Sequence, residues 1–320
     1  MIVPRTLPPV KLSALACPSC RQALDEAMSC VCGFRLENRD GVLVESGERS
    51  GSGFENYAAE SGIAGYNEGD LSEHEYYDRF FRPGTQFVLD AGAGDGNTSA
   101  HWARANPGSH LYAVDCDEGS LRRAAGRGLP NLTAIKAPAT RMPLAGEFFD
   151  AVLTVFMVEH LYDWELSDFY VEAWRVLRPG GALIVTSDAP FFDKFIHPFL
   201  RLARTRRWRT SSFLERWKPA VRSIHHHNLK TGRQAARDLE RHGYFVQGLT
   251  VPLLFSNAAP AAAFYEVLSG IVPAPLIERF FGTSYTVVAL KPRAADLPGG
   301  ISVRYSRRED RWEPRGPMQA

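Results

Sequence analysis

Residues Val88 to Gly96 read V-L-D-A-G-A-G-D-G, an apolar run that stops at Asp90 and passes into glycines at 92, 94 and 96. A Val/Leu-rich run of this kind suits a strand in the buried centre of a parallel sheet, where both faces are covered. Glycine accepts positive φ and carries no Cβ, so alternate glycines after a strand let bare backbone approach a ligand. A nucleotide-like ligand is the expectation. A dinucleotide fingerprint requires G-x-G-x-x-G, with the third glycine at a helix–strand contact. Counting from Gly92 and Gly94, that position is Asn97. A P-loop requires Gly-Lys-Ser/Thr, which does not follow.

Three further segments narrow the reading. His110-Leu-Tyr-Ala-Val-Asp115 is a second apolar strand ending in an acid, and a carboxylate at that edge can accept hydrogen bonds from ribose hydroxyls. Phe149 to Leu161 reads as a buried strand followed by a helix start. Trp174 to Thr186 reads as a helix end, a Pro-Gly-Gly turn and a strand. In this order and spacing the four segments resemble the class I S-adenosylmethionine-dependent methyltransferases. The resemblance implies an α/β fold with a doubly wound, mostly parallel, seven-stranded sheet of Rossmann-like type. It also implies that Ala91, Gly92, Gly94 and Gly96 lie under the methionine part of S-adenosylmethionine, that Asp90 helps hold its amino group and that Asp115 takes the ribose. Cys116, Ala139 and Phe156 complete the implied cofactor-binding set. One position departs from the family. Where an aspartate commonly contacts the adenine amino group, this chain has Pro138. Proline offers no side-chain acceptor, which leaves adenine to the backbone of Ala139 or to Thr140.

Four of the five cysteines lie in one window, Cys17-Pro-Ser-Cys20 and Cys30-Val-Cys32-Gly33. Two thiolate pairs across a short loop can close a tetrahedral zinc site. Disulfides are the alternative, but they need a secretory context, and the N-terminus has no basic stretch followed by an apolar core. No apolar run approaches the roughly twenty residues of a membrane span, and a cytoplasmic location is the expectation. Arg35 to Val44 looks like the strand and turn after the cysteines. The segment resembles the small zinc ribbons that precede some bacterial methyltransferase domains or activate tRNA methyltransferases as separate subunits. A ribbon this small has almost no core of its own, so structural zinc is expected to supply most of its folding free energy.

The chain therefore divides into a zinc-ribbon-like module (1–46), a linker and lid region (47–82), a methyltransferase domain (83–293) and a tail (294–320) expected to be largely disordered. An insertion at about 189–222 combines apolar residues with Arg201, Arg204, Arg206, Arg207 and Arg209 around Trp208. It reads as a cap over the acceptor, a peripheral contact with an anionic membrane surface, or a nucleic-acid contact. The formal net charge of +1 gives no global attraction to nucleic acid, so that partner is the less favoured. Oligomeric state is not fixed by the sequence.

Methyl transfer is an in-line displacement at an activated sulfonium, and holding donor and acceptor in line can supply much of the catalysis. A hydroxyl acceptor must also lose a proton, for which histidine is a suitable base near neutral pH. The candidates are His160, after the fourth strand of the domain, and His227 in the run His225-His226-His227. Three adjacent histidines cannot all face one metal on regular secondary structure. Glu159-His160-Leu161 also resembles a family pattern in which the histidine caps a helix. No Asn/Asp-Pro-Pro-Tyr/Phe follows that strand, a sequence common in methyltransferases acting on exocyclic amines of nucleic acids or on glutamine. The expectation is an enzyme methylating a small-molecule or lipid- or glycan-linked acceptor at oxygen. Two alternatives stand beside it: an RNA methyltransferase that grips its substrate through the ribbon and the arginines, and a non-catalytic scaffold or activator.

Overall fold

The computed structural model describes residues 10–47, 84–191, 226–252, 264, 266–293, 302–306 and 311–315. Nearly all of the expected lid and of the basic insertion lies outside the described residues. The strands are β1 (Leu36–Arg39), β2 (Val42–Glu45), β3 (Phe87–Ala91), β4 (His110–Asp115), β5 (Leu132–Lys136), β6 (Phe149–Val155), β7 (Leu177–Asp188), β8 (Phe245–Thr250) and β9 (Ser284–Leu290). They form one sheet in the order β1-β2-β5-β4-β3-β6-β7-β9-β8. From β2 to β7 the neighbours pair in parallel, while β9 runs antiparallel between β7 and β8.

The seven strands expected for the domain are present, β3 to β9, but the sheet has nine. The extra pair is the hairpin of the N-terminal module. Asp40 and Gly41 both take positive φ, 55° and 88°, the requirement of a two-residue turn whose twist matches its strands. Arg39 pairs with Val42 across that turn, and β2 then pairs in parallel with β5. The ribbon also shares the core. Leu15, Phe34, Leu36 and Leu43 pack in one cluster with Leu89, Tyr112, Ile135 and Phe149. The expectation of a coreless module folded chiefly by its metal is therefore corrected: burial against the large domain stabilises it as well.

The main helices are α1 (Asn97–Ala105), α2 (Glu118–Ala125), α3 (Asp163–Val176), α4 (Gly232–Arg241) and α5 (Ala274–Phe281). Their starts follow local chemistry. Asp117 caps α2 by accepting from the Gly119 amide at 2.9 Å. At α3 the Glu165 carboxylate accepts the Tyr162 amide at 2.9 Å. On the second face of the sheet Trp102 and Leu121, from α1 and α2, cover Val88 and Leu111. The Pro-Gly-Gly segment is a bulge inside β7 rather than a turn before it: Leu177 lies opposite Phe149, and Ala182 opposite Ala151. Within the tail expected to be disordered, β10 (Ser302–Ser306) and β11 (Arg311–Arg315) pair antiparallel. The alternation in Ser-Val-Arg-Tyr-Ser is the local reason.

Candidate active site

The carboxyl end of β3 opens into the glycine turn. Gly92, Gly94 and Gly96 have φ of 75°, 54° and 72°, a region that favours glycine. A Cβ on Gly92 would stand 2.3 Å from Met157 Cγ, and one on Gly96 would stand 2.6 Å from Ala124 Cβ. Those two glycines are close-packing requirements. Gly94 differs, because a Cβ there would meet nothing within 4 Å. Asp90 is 3% exposed and accepts a 2.5 Å hydrogen bond from Ser99 Oγ. Burial pushes its carboxyl up to about 6; Ser99 opposes that and the Asp115 charge adds to it.

Asp115, at the end of β4, is fastened to the same turn. Its Oδ2 accepts the Gly94 amide and its Oδ1 the Asp117 amide, each at 2.8 Å. A carboxylate has about four lone-pair sites; the two amides and the Cys116 thiol take three, which leaves one for a hydroxyl donor. Burial raises its pKa, and burial together with the Asp115 charge pushes the neighbouring Cys116 thiol up to about 12, which keeps it a small apolar wall and not a nucleophile. Phe156, just past β6, holds φ of 52° while its amide bonds the Thr186 carbonyl at 2.9 Å. A non-glycine residue in that region costs of order 1 kcal/mol or more, and such residues concentrate at functional sites. In the loop after β5 the Pro138 carbonyl accepts the Arg141 amide at 3.0 Å. Ala139 and Thr140 remain half-buried beside it.

A second polar cluster occupies the same edge. Glu159 is 1% exposed, and Ser187 Oγ donates to its Oε2 at 3.0 Å. Burial pushes its pKa up to about 8, with Asp188 adding to the rise and His226 opposing it. The His160 ring meets the His226 ring edge-on, centroids 4.8 Å apart. His227, the expected second catalytic histidine, is exposed and stacks on Tyr162 at 4.3 Å. Adjacent residues of an extended segment point to opposite sides, so the structure brings His226, not His227, to His160. The Glu159 carbonyl fixes this by accepting the His227 and Asn228 amides at 2.8 and 3.0 Å. Glu159 was not singled out from the sequence, although an acid at the end of the apolar run Ala151 to Val158 was the available signal.

The four cysteines converge as expected. Sγ separations are 3.3 Å for Cys17–Cys32, 3.3 Å for Cys20–Cys30, 3.5 Å for Cys30–Cys32 and 3.8 Å for Cys20–Cys32. Tetrahedral zinc with Zn–S of about 2.3 Å needs separations of about 3.8 Å, whereas a disulfide needs about 2.05 Å. The set fits zinc. In each knuckle a left-handed residue follows the second cysteine, Arg21 with φ of 66° and Gly33 with φ of 94°. Burial acts to raise the Cys17 pKa, but the Cys20 and Ser19 amides outweigh it and hold the thiol near 6, which favours the ligating thiolate. The knuckle is bolted to the loop after β5. Both Arg21 nitrogens bond the buried Glu172 carboxylate at 3.2 Å, and that carboxylate also takes the Met142 amide at 2.8 Å. The Ala16 amide bonds the Pro143 carbonyl at 3.2 Å.

Residues 89–185, from the first strand of the domain through the glycine turn to β7, match the methyltransferase domain family. That stretch is a methyltransferase domain. Curated relatives match about a third of the chain. The ubiquinone/menaquinone biosynthesis C-methyltransferase UbiE of Syntrophotalea carbinolica is 33% identical over 101 residues, 31% of this chain and 42% of that protein. The demethylmenaquinone methyltransferase of Renibacterium salmoninarum is 35% identical over 111 residues, 34% of this chain and 45% of that protein. The chain thus spans less than half the length of these curated relatives. Among solved structures, phosphoethanolamine N-methyltransferase 2 of Haemonchus contortus in complex with S-adenosyl-L-methionine superposes with a TM-score of 0.53 at 18% identity. That match covers 78% of this chain and 62% of that one. It supports the fold of the methyltransferase domain. No helix among the described residues is long and apolar enough to cross a membrane.

Proposed function

We propose that the protein is an S-adenosylmethionine-dependent methyltransferase acting at oxygen on a small-molecule or lipid- or glycan-linked acceptor. The observation that carries the reading is the placement of two dissimilar sites on one sheet edge. The turn of Asp90 to Gly96 follows β3, and Glu159 and His160, met by His226 from a later segment, follow β6; β3 and β6 are adjacent parallel strands. Ligands of open α/β sheets bind outside such carboxyl ends. Bound there, S-adenosylmethionine would supply a methyl group already activated on a sulfonium sulfur.

The residues present fit that cofactor. Gly94 leaves open space where a side chain would stand, and ionised Asp90 suits an ammonium group. Asp115 keeps a lone pair for a ribose hydroxyl, and Ala139 and Thr140 offer polar backbone where Pro138 lacks a side-chain acceptor. On the acceptor side, a buried carboxyl and two half-buried imidazoles are groups that can take or polarise a hydroxyl proton. The relatives named C-methyltransferases favour a second reading, transfer to carbon. A carbon beside a hydroxyl is activated by loss of the same proton, so the site chemistry is shared.

Calorimetric titration of the purified protein with S-adenosylmethionine and S-adenosylhomocysteine tests the donor site. Micromolar binding that is lost in Asp90→Ala supports the enzyme. No binding by folded, zinc-loaded protein refutes it and leaves a scaffold or activator. With acceptors in hand, transfer of a carbon-13 methyl group distinguishes O-methyl from C-methyl product by its chemical shift.

A further inference from the structure

The residues past β6 bring together more than a proton acceptor. One ligand atom each from Glu159, His160 and His226 lies within 4.8 Å of the others. We propose that these three residues form a divalent-cation site at the acceptor end of the methyltransferase site, where the cation takes an acceptor hydroxyl as a further ligand. The proposal rests on the enzyme reading for the acceptor and on the geometry alone for the cation.

The ligand set has a chemical preference. Two imidazoles with one carboxylate suit first-row ions such as Zn²⁺, Mn²⁺ or Co²⁺, whereas calcium prefers oxygen-only sets. Ligation at about 2.1 Å in a tetrahedral site needs donor separations of about 3.4 Å. Rotation of two half-buried imidazoles supplies the closing movement. Both rings are half-buried, and the carboxylate beside them is fully buried. Three protein ligands with a remaining position is the arrangement of a catalytic rather than a structural metal.

Two independent features support a built site. Metal-ligating groups are typically oriented by outer hydrogen bonds, and the Glu159 carboxylate is held by Ser187 Oγ at 3.0 Å. The backbone supplies the other constraint. His160 and His226 are 66 positions apart in the chain, and the Glu159 carbonyl clamps the second segment against the first through the His227 and Asn228 amides. A cation there would lower the pKa of a bound hydroxyl, so that its proton passes to water before methyl transfer and the imidazoles serve the metal.

The test uses the full chain, loaded with zinc to the equivalent of its four-cysteine site and desalted. Mn²⁺ is then titrated by electron paramagnetic resonance, with S-adenosylhomocysteine affinity measured on the same sample. One bound Mn²⁺ equivalent is expected, with affinity reduced at least tenfold in both Glu159→Gln and His226→Gln and zinc content unchanged. Ser187→Ala should weaken Mn²⁺ by about tenfold, the range for residues that orient ligands. Protein that binds S-adenosylhomocysteine but no Mn²⁺ overturns the metal site and leaves the enzyme reading standing. Mn²⁺ binding that survives both ligand variants overturns it as well. Mn²⁺ bound and lost as expected, with no S-adenosylhomocysteine binding, retains the metal site and removes the cofactor reading.

Discussion

Replacing Glu172 with alanine should damage the protein more than any exposed-charge change, because one buried carboxylate joins three parts of the chain. Glu172 is 3% exposed. It accepts from Arg21 Nη1 and Nη2 at 3.2 Å each, from Arg175 Nε at 2.8 Å and Nη2 at 2.7 Å, and from the Met142 amide at 2.8 Å. Truncation leaves the Arg175 guanidinium without its carboxylate and a buried amide without an acceptor, a loss of about 3–5 kcal/mol for one partner of a buried pair. The Arg21 side chain is 41% exposed, so solvent screens its share, and Arg21→Ala should cost about 1 kcal/mol or less. At about 2–4 °C per kcal/mol for a domain of this size, Glu172→Ala should lower Tm by about 6–20 °C and Arg21→Ala by a few degrees. Differential scanning calorimetry of both single variants and the double variant gives the cycle. The coupling between them isolates the bond from knuckle to domain. A loss below about 1 kcal/mol in Glu172→Ala would refute the reasoning.

Three further outcomes are expected. Gly92→Ala should abolish S-adenosylhomocysteine binding and destabilise the fold by about 1–3 kcal/mol, since its Cβ would collide with Met157. Gly94→Ala should lose cofactor affinity with only about 1 kcal/mol of stability, the cost of its left-handed backbone, and calorimetry with thermal melts separates the two. Asp90 is raised by burial to about 6, so the fold favours the protonated form. Stability on this account falls as pH rises from the ordinary aspartate range to about 6 and is level above that, while binding of an ammonium group needs the ionised form. S-adenosylhomocysteine affinity should therefore drop as pH falls below about 6 in the wild type and show no such step in Asp90→Asn; a flat wild-type profile would contradict the assignment. Chelating the metal of the four cysteines should lower Tm and weaken cofactor binding together, because the knuckle holds the loop after β5 through Glu172, Met142 and Pro143. Chelation that leaves cofactor affinity unchanged would show that the two sites are independent.

Much of the domain was legible in the chain because its signals are local. The run into Asp90, the glycines at 92, 94 and 96, the acid ending β4 and the four cysteines each announce a backbone conformation or a ligand within a few residues. The structure places all of them as expected. The hairpin turn at Asp40-Gly41 was equally local, yet what its strands would pair with was not. Edge pairing depends on which surface of β5 is left uncovered, and no residue near 40 encodes that. The choice of His226 over His227 has the same origin. Alternation in an extended segment makes one of them face inward, but which one is set by two hydrogen bonds to the Glu159 carbonyl, 67 and more positions earlier in the chain.

Sequence alone determined the class of fold, the glycine turn after β3 and the cysteine cluster, since periodicity, glycine and thiol chemistry act over short spans of chain. Only the tertiary structure decided that the ribbon is part of the same sheet and core, that Glu172 ties it to the loop after β5, and that Glu159, His160 and His226 meet. Those facts arise from burial and hydrogen bonding between segments far apart in the chain, where each partner's role exists only once the other is in place.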